Sequence, residues 1–196
     1  MTAPTAAPDA AILQTASSLA VLTTETYRSL QALPFGGGAA AVPLLRDFLA
    51  SALVDTARAR DALGDATRQA GGRVQRSPDP QYAPVVAQAL PTLRVPGDVV
   101  SLALTLEDVL AQTLVRDAID LGTPALRGLA GSLGAAAAAR KALLLIMQAL
   151  LSTGQAGLVV APPDLTALPP GIGTVGFPDT RFPTDKASPP TEGSLG

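Results

Sequence analysis

The chain has 196 residues, enough for one domain with a substantial core, and 47 % of them are hydrophobic but only 3 % aromatic, so that core is built from Leu, Val and Ala. The formal net charge is -2 and the arginines are dispersed, which argues against nucleic acid. There is no cysteine and no histidine, and glutamate occurs only at Glu25, Glu107 and Glu192. This inventory excludes disulfides, a Ser–His nucleophile pair, an ordinary zinc site and a two-histidine iron site.

Residues 1–8 are rich in Ala, Pro and Thr and lack a basic region ahead of an apolar stretch. They do not read as a signal peptide, so the expected location is cytoplasmic, with export the reading if the N-terminus has been trimmed. Asp9 can cap a first helix with Ile12, Ala16, Leu19, Ala20, Thr23, Tyr27 and Leu30 at helical spacing. The run Pro34-Phe35-Gly36-Gly37-Gly38 stops it. Those glycines lack a following Lys-Ser/Thr and a preceding strand, so they read as a helix break and not as a phosphate cradle.

A second helix is expected from Ala41 or Pro43, with Leu45, Leu49, Leu53, Thr56, Arg60 and Leu63 on one stripe and Gly71-Gly72 as the stop. Residues 73–97 hold five prolines and form a long crossover with a short helix over 85–90. Asp98 reads as the cap of a third helix, whose face carries Val100, Leu104, Glu107, Leu110, Ala111, Leu114 and Ala118, with Gly122 ending it. Thr123-Pro124 opens a fourth, with Leu126, Leu129, Leu133, Ala136, Leu143, Met147 and Leu150, ending at Gly154. The apolar run 134–151 is broken by Arg140, Lys141 and Gln148, and so reads as a buried bundle helix rather than a membrane span. Glu25, Asp55, Asp61, Asp65 and Asp108 read as solvated faces or intrahelical partners of arginines.

Composition shifts at residue 155, beyond which eight of the eighteen prolines fall. The segment 155–178 keeps Leu158, Val159, Val160, Leu165, Leu168, Ile172, Val175 and Phe177, and is expected to be an extended interaction tail. Residues 179–196 are polar and are expected to be disordered.

The expected fold is therefore all-α: a four-helix bundle over 9–154 with a long Pro-rich crossover between helices 2 and 3, preceded by a flexible 1–8 and followed by a Pro-rich tail. One crossover between two helical hairpins is ferritin-like connectivity. Four local patterns resemble the ferritin-like domain proteins that include the plant and bacterial desiccation-related proteins. These are Asp9 to Leu13 with Leu19 to Tyr27; Val54 to Leu63 followed by Gly71-Gly72; Leu102 to Val109; and Ala130-Gly131-Ser132-Leu133-Gly134 onward.

The resemblance implies inward ligands on all four helices, including two Glu-x-x-His pairs, around a metal pair. Carried over by position, the ligands fall on Ala20 and Thr23, Ala57 and Arg60, Glu107, and Ala136 and Ala139. Only Glu107 keeps a ligand's chemistry. The resemblance thus implies a degenerate member without metal or other cofactor and without catalysis. It would be a structural or protein-interaction module with a protein partner or a second copy, associated with stress or desiccation. It also implies that Arg60 and Glu107 point inward and form an ion pair at the vestigial site; the alternative is that Arg60 runs along its aliphatic stem to the surface and Glu107 sits at a helix border. Small residues over 135–139 permit close helix packing, or an apolar cavity for a lipid or quinone-like small molecule, which is the alternative function.

Overall fold

In the computed structural model, residues 9–154 and 183–195 are described. They form α1 (Asp9–Gln31), α2 (Pro43–Gln69), the short α3 (Ala83–Ala89) with a 3-10 turn at Leu90–Thr92, α4 (Pro96–Asp120) and α5 (Pro124–Ser152). No strand occurs among the described residues.

The helix ends follow local chemistry. Pro43 and Pro124 occupy first-turn positions, where a missing N–H costs nothing. The Thr123 hydroxyl accepts from the Leu126 amide at 3.3 Å. Asp98 is not the cap of α4: the helix begins at Pro96, and the Asp98 carboxylate reaches back to accept from the Arg94 and Val95 amides at 2.7 and 3.0 Å. Gly71 sits at φ 81° after α2, and Gly154 at φ 73° after α5, where a side chain would be strained.

After α1 the chain doubles back, with the amides of Gly36, Gly37 and Gly38 all accepted by the Leu33 carbonyl at 3.1 Å. A β-carbon on Gly36 would collide with the Leu30 carbonyl oxygen. Gly36→Ala is therefore expected to cost about 1–2 kcal/mol, the scale of overpacking, read as a lowered urea midpoint.

The four long helices share one core. α1 packs along α2 and α4, and α5 packs along α4 and more narrowly along α2. The start of α1 lies beside the ends of two partners: Ala10 abuts Gly72, and Asp9 accepts from the Gly122 amide at 2.9 Å. Hence α1 runs antiparallel to both α2 and α4.

α1 is buried over most of its circumference, although its sequence is rich in Ser and Thr. Its hydroxyls make this burial tolerable. Thr23, Thr24 and Thr26 each donate to the carbonyl four residues earlier at 2.7–2.8 Å. That is the usual way a helix hides hydroxyls in a dry setting.

The apolar core divides into two clusters. One contains Tyr27, Leu45, Phe48, Leu49, Val99, Ala103, Leu106, Leu144 and Met147. The other contains Ile12, Leu19, Ala20, Leu63, Leu110, Leu114, Ala130 and Ala137. Along every long helix, buried or half-buried polar residues fall between the two: Thr23, Thr56, Glu107 and Arg140.

A further expectation is revised. Residues 183–195 are not a disordered tail but pack against α1, α4 and residues 73–82, with Ser188 fully buried. α5 is long and apolar enough to cross a membrane by length and composition, with a mean hydropathy of 1.4 over its most apolar window. Only 22 % of that window is buried, so its outer face is open rather than enclosed. The apolar tail residues Leu158, Val159, Val160, Leu165, Leu168, Ile172, Val175 and Phe177 lie outside the described residues, as do 1–8.

Candidate functional site

Glu107 occupies the middle of α4, one residue past Leu106 of one cluster and three before Leu110 of the other, and is 0 % exposed. Two helices supply its partners. From α5, Arg140 donates through Nε to Oε1 at 2.7 Å and through Nη2 to Oε2 at 2.9 Å, a bidentate pair. From α1, the Tyr27 hydroxyl donates to Oε1 at 2.5 Å. Phe48 of α2 meets the Tyr27 ring edge-on, with centroids 6.1 Å apart and planes at 76°. Side chains of α1 and α5 thus meet the α4 carboxylate, and α2 backs the tyrosine that reaches it.

The electrostatics follow from burial. Desolvation raises the Glu107 carboxyl above its ordinary range, and the Arg140 and Tyr27 hydrogen bonds pull against it. Desolvation opposes the Arg140 charge, but its bonds to Glu107 outweigh that and raise it further. Tyr27 is pushed well above the usual phenol value, by burial first and by the adjacent carboxylate second. Arg140 therefore keeps its charge and Tyr27 its proton at neutral pH. Both carboxylate oxygens are already engaged, which leaves a poor base and no nucleophile.

Beside this pair, α4 presents Asp108 on an adjoining face. Lys141 Nζ lies 2.6 Å from Oδ1, and Lys186 Nζ lies 2.8 Å from Oδ2. Burial works against the Asp108 charge, but the two ammonium groups and Gln112 outweigh it and lower the carboxyl below its ordinary value. Consecutive carboxylates on α4 thus meet consecutive cations on α5, Glu107 with Arg140 and Asp108 with Lys141.

The expected pairing of Arg60 with Glu107 is corrected. Arg60 donates through Nε and Nη2 to Asp61 at 3.0 and 2.8 Å, with its side chain 37 % exposed. It lines an open groove of about 450 Å³ between α1 and α2, together with Glu25, Asp65 and Arg68. The internal cation is Arg140. Of the positions expected to replace metal ligands, Ala20 and Thr23 are buried on α1. Ala57 is only half-buried, and Ala136 and Ala139 are exposed. The buried positions are Thr56 and Ala59 on α2, and Ala137 on α5 with Arg140 one turn further on. On both helices the inward face is displaced by one residue from the expected register.

Arg140 was legible as the charge interrupting the apolar run, and Tyr27 as the last polar member of the α1 stripe. Neither signal names a partner.

Removing the phenol oxygen tests the network at its least disruptive point. Tyr27→Phe keeps the ring against Phe48 and deletes one bond to a buried carboxylate. A loss of about 1.5 kcal/mol in unfolding free energy is expected, measured by urea titration.

A second buried acid lies near the end of α4. Asp117 is 1 % exposed, and neither carboxylate oxygen has a hydrogen-bond partner. Burial first and Asp120 second push its carboxyl well above the ordinary range, against a smaller opposing pull from Arg116.

No group of three or more His, Cys, Asp or Glu able to hold a metal occurs among the described residues. Comparison of the chain with family models, curated proteins and solved structures gave no match.

Proposed function

We propose that the chain is a non-catalytic structural or protein-interaction module built as a ferritin-like four-helix bundle that has lost its di-metal site. The observation that carries this reading is the Tyr27–Glu107–Arg140 network at the centre of the core. In a metal-binding bundle of this kind, inward carboxylates surround a cation. Here the position beside the remaining carboxylate is taken by a guanidinium, and a site of one carboxylate and one arginine does not bind iron or manganese.

The packing order supports the same reading. α1 packs with α2 and with α4, α4 packs with α5, and α2 meets α5 more narrowly. The connection from α2 to α4 spans residues 70–95, and α1 is antiparallel to both its partners. That is the arrangement of two hairpins joined by one crossover. The stress or desiccation association is carried by the resemblance alone.

Polar side chains fill the middle of the core, which disfavours an apolar small molecule at that level. The reading is tested by elemental analysis of full-length protein purified without a histidine tag. Sub-stoichiometric iron and manganese are expected, with a melting temperature unchanged by chelator or by added metal. Stoichiometric iron or manganese would overturn it.

A further inference from the structure

Residues 183–195 lie in a groove whose walls are α1, α4 and residues 73–82, and the contacts are mostly side chains of the body reading backbone of the tail. The Lys186 amide donates to Gln112 at 2.9 Å, and its carbonyl accepts from the Tyr82 hydroxyl at 2.8 Å. The Ser188 amide donates to Thr113 at 2.9 Å and its hydroxyl to Asp79 at 2.8 Å. Thr15 donates to the Pro190 carbonyl at 3.0 Å and accepts from the Gly193 amide at 3.0 Å. Gln75 donates to the Gly193 carbonyl at 2.6 Å, and Gln14 and Arg73 hold the Leu195 amide and carbonyl at 3.1 and 2.7 Å.

Three side-chain features add sequence selectivity. Asp108 pairs with the Lys186 ammonium. Asp79, itself fully buried, takes the Ser188 hydroxyl. At Gly193 a β-carbon would lie 2.5 Å from Ser18 Oγ and 2.9 Å from the Thr15 α-carbon, so no side chain fits without displacing α1 backbone.

The chemistry of this seam differs from that of the core. An element fixed permanently would be glued by apolar burial. Here the groups that hold the segment are hydroxyls, amides and carboxylates, which water solvates well. Each bond contributes about 1 kcal/mol net, and water can replace each of them when the segment withdraws. Residues 155–182, which connect α5 to this segment in the sequence, number 28. Their greatest reach is about 90–100 Å, against about 43 Å for the length of α5. Exchange of such a segment between identical chains is a low-cost route to association.

We propose that this groove is a peptide-recognition site for a Lys-x-Ser-Pro-Pro-x-x-Gly segment, and that its ligand in trans is the 183–195 segment of a second copy of this chain. This deepens the interaction reading above by naming the partner.

The test uses full-length chains and a fluorescein-labelled synthetic peptide of residues 183–196. Gly193→Val unseats the chain's own segment while leaving the groove intact, and Lys186→Glu serves as an independent way to weaken the same seat. By anisotropy, the Gly193→Val chain is expected to bind the wild-type peptide at least tenfold more tightly than the wild-type chain does, because no tail competes. A peptide carrying Lys186→Glu is expected to lose at least tenfold. Tagged wild-type chain is expected to capture untagged Gly193→Val chain by donating its tail. Equal peptide binding by the two chains would overturn the recognition site. Peptide binding without capture, at concentrations above the peptide Kd, would overturn the second copy as ligand. Circular dichroism confirms that each variant is folded, and neither outcome depends on metal content.

Discussion

Glu107→Ala is expected to lower the unfolding free energy by about 3–5 kcal/mol. The reason is the partner left behind. Arg140 is 14 % exposed at its side chain and its guanidinium meets both oxygens of Glu107. Removing the carboxylate leaves a charge with its hydrogen bonds unmade in a dry interior, and that penalty is much larger than the net worth of the pair. The double variant Glu107→Ala with Arg140→Leu removes both charges and is expected to recover at least half of the loss. Urea unfolding of the wild type, both single variants and the double completes the cycle. A double variant no more stable than Glu107→Ala alone would show that Arg140 is not the stranded partner. Arg60→Leu is the control. Its pairing with Asp61 is solvent-exposed, and pairs of that kind contribute about 0–1 kcal/mol.

Asp117→Asn is expected to stabilise the protein at pH 8 and to change its stability little at pH 4. Both Asp117 oxygens are buried without partners, so ionising this group in the folded chain costs free energy that ionising it in the unfolded chain does not. Its folded pKa is raised above the unfolded value. The folded state therefore holds the proton more tightly, and stability falls as pH rises from the unfolded pKa toward the folded one. Asparagine keeps the shape and removes the titration. Melting temperatures of the two chains should converge at acid pH and separate as pH rises. Parallel curves across pH 4–8 would show that Asp117 is not the group that charges.

Most of the secondary structure was legible because it rests on local chemistry. Pro43, Pro124, Thr123 and Gly71 mark helix ends through constraints on their own φ angles or hydrogen bonds, and no tertiary contact is needed to read them. The cap of α4, Val95, lies three residues earlier than the expected cap at Asp98, for a similar reason. An acid after Pro-Gly fits either a cap or a first-turn position, and only the backbone amide it reaches, that of Val95, separates the two. The central carboxylate was legible too, since Glu107 falls on an apolar stripe.

Its partner was not. An arginine side chain is long enough to turn either toward a core or along a helix to water. Arg60 falls on the apolar stripe of its helix in the sequence, and Arg140 interrupts an apolar run. The helix phase decides between them, and in α5 that phase runs through Ala135 to Ala139, where identical residues carry no sidedness. The displaced register on α2 and α5 is the same ambiguity twice over.

The tail shows the other limit. Residues 183–195 have a composition that cannot bury itself, and composition alone predicts disorder. They are ordered because Thr15, Gln75, Asp79, Gln112 and Thr113, distant in the chain, supply partners for their backbone.

From the order of residues alone come the helical class, the helix boundaries to within a turn, the lack of histidine and cysteine chemistry, and the single inward glutamate. Each depends on short-range periodicity, on the intrinsic geometry of Pro and Gly, or on inventory. Which cation meets that glutamate, which acid is stranded without a partner, and whether the polar C-terminus has a seat were decided only when four helices fixed their mutual rotation. Those are properties of pairs of residues far apart in sequence, and no local pattern encodes them.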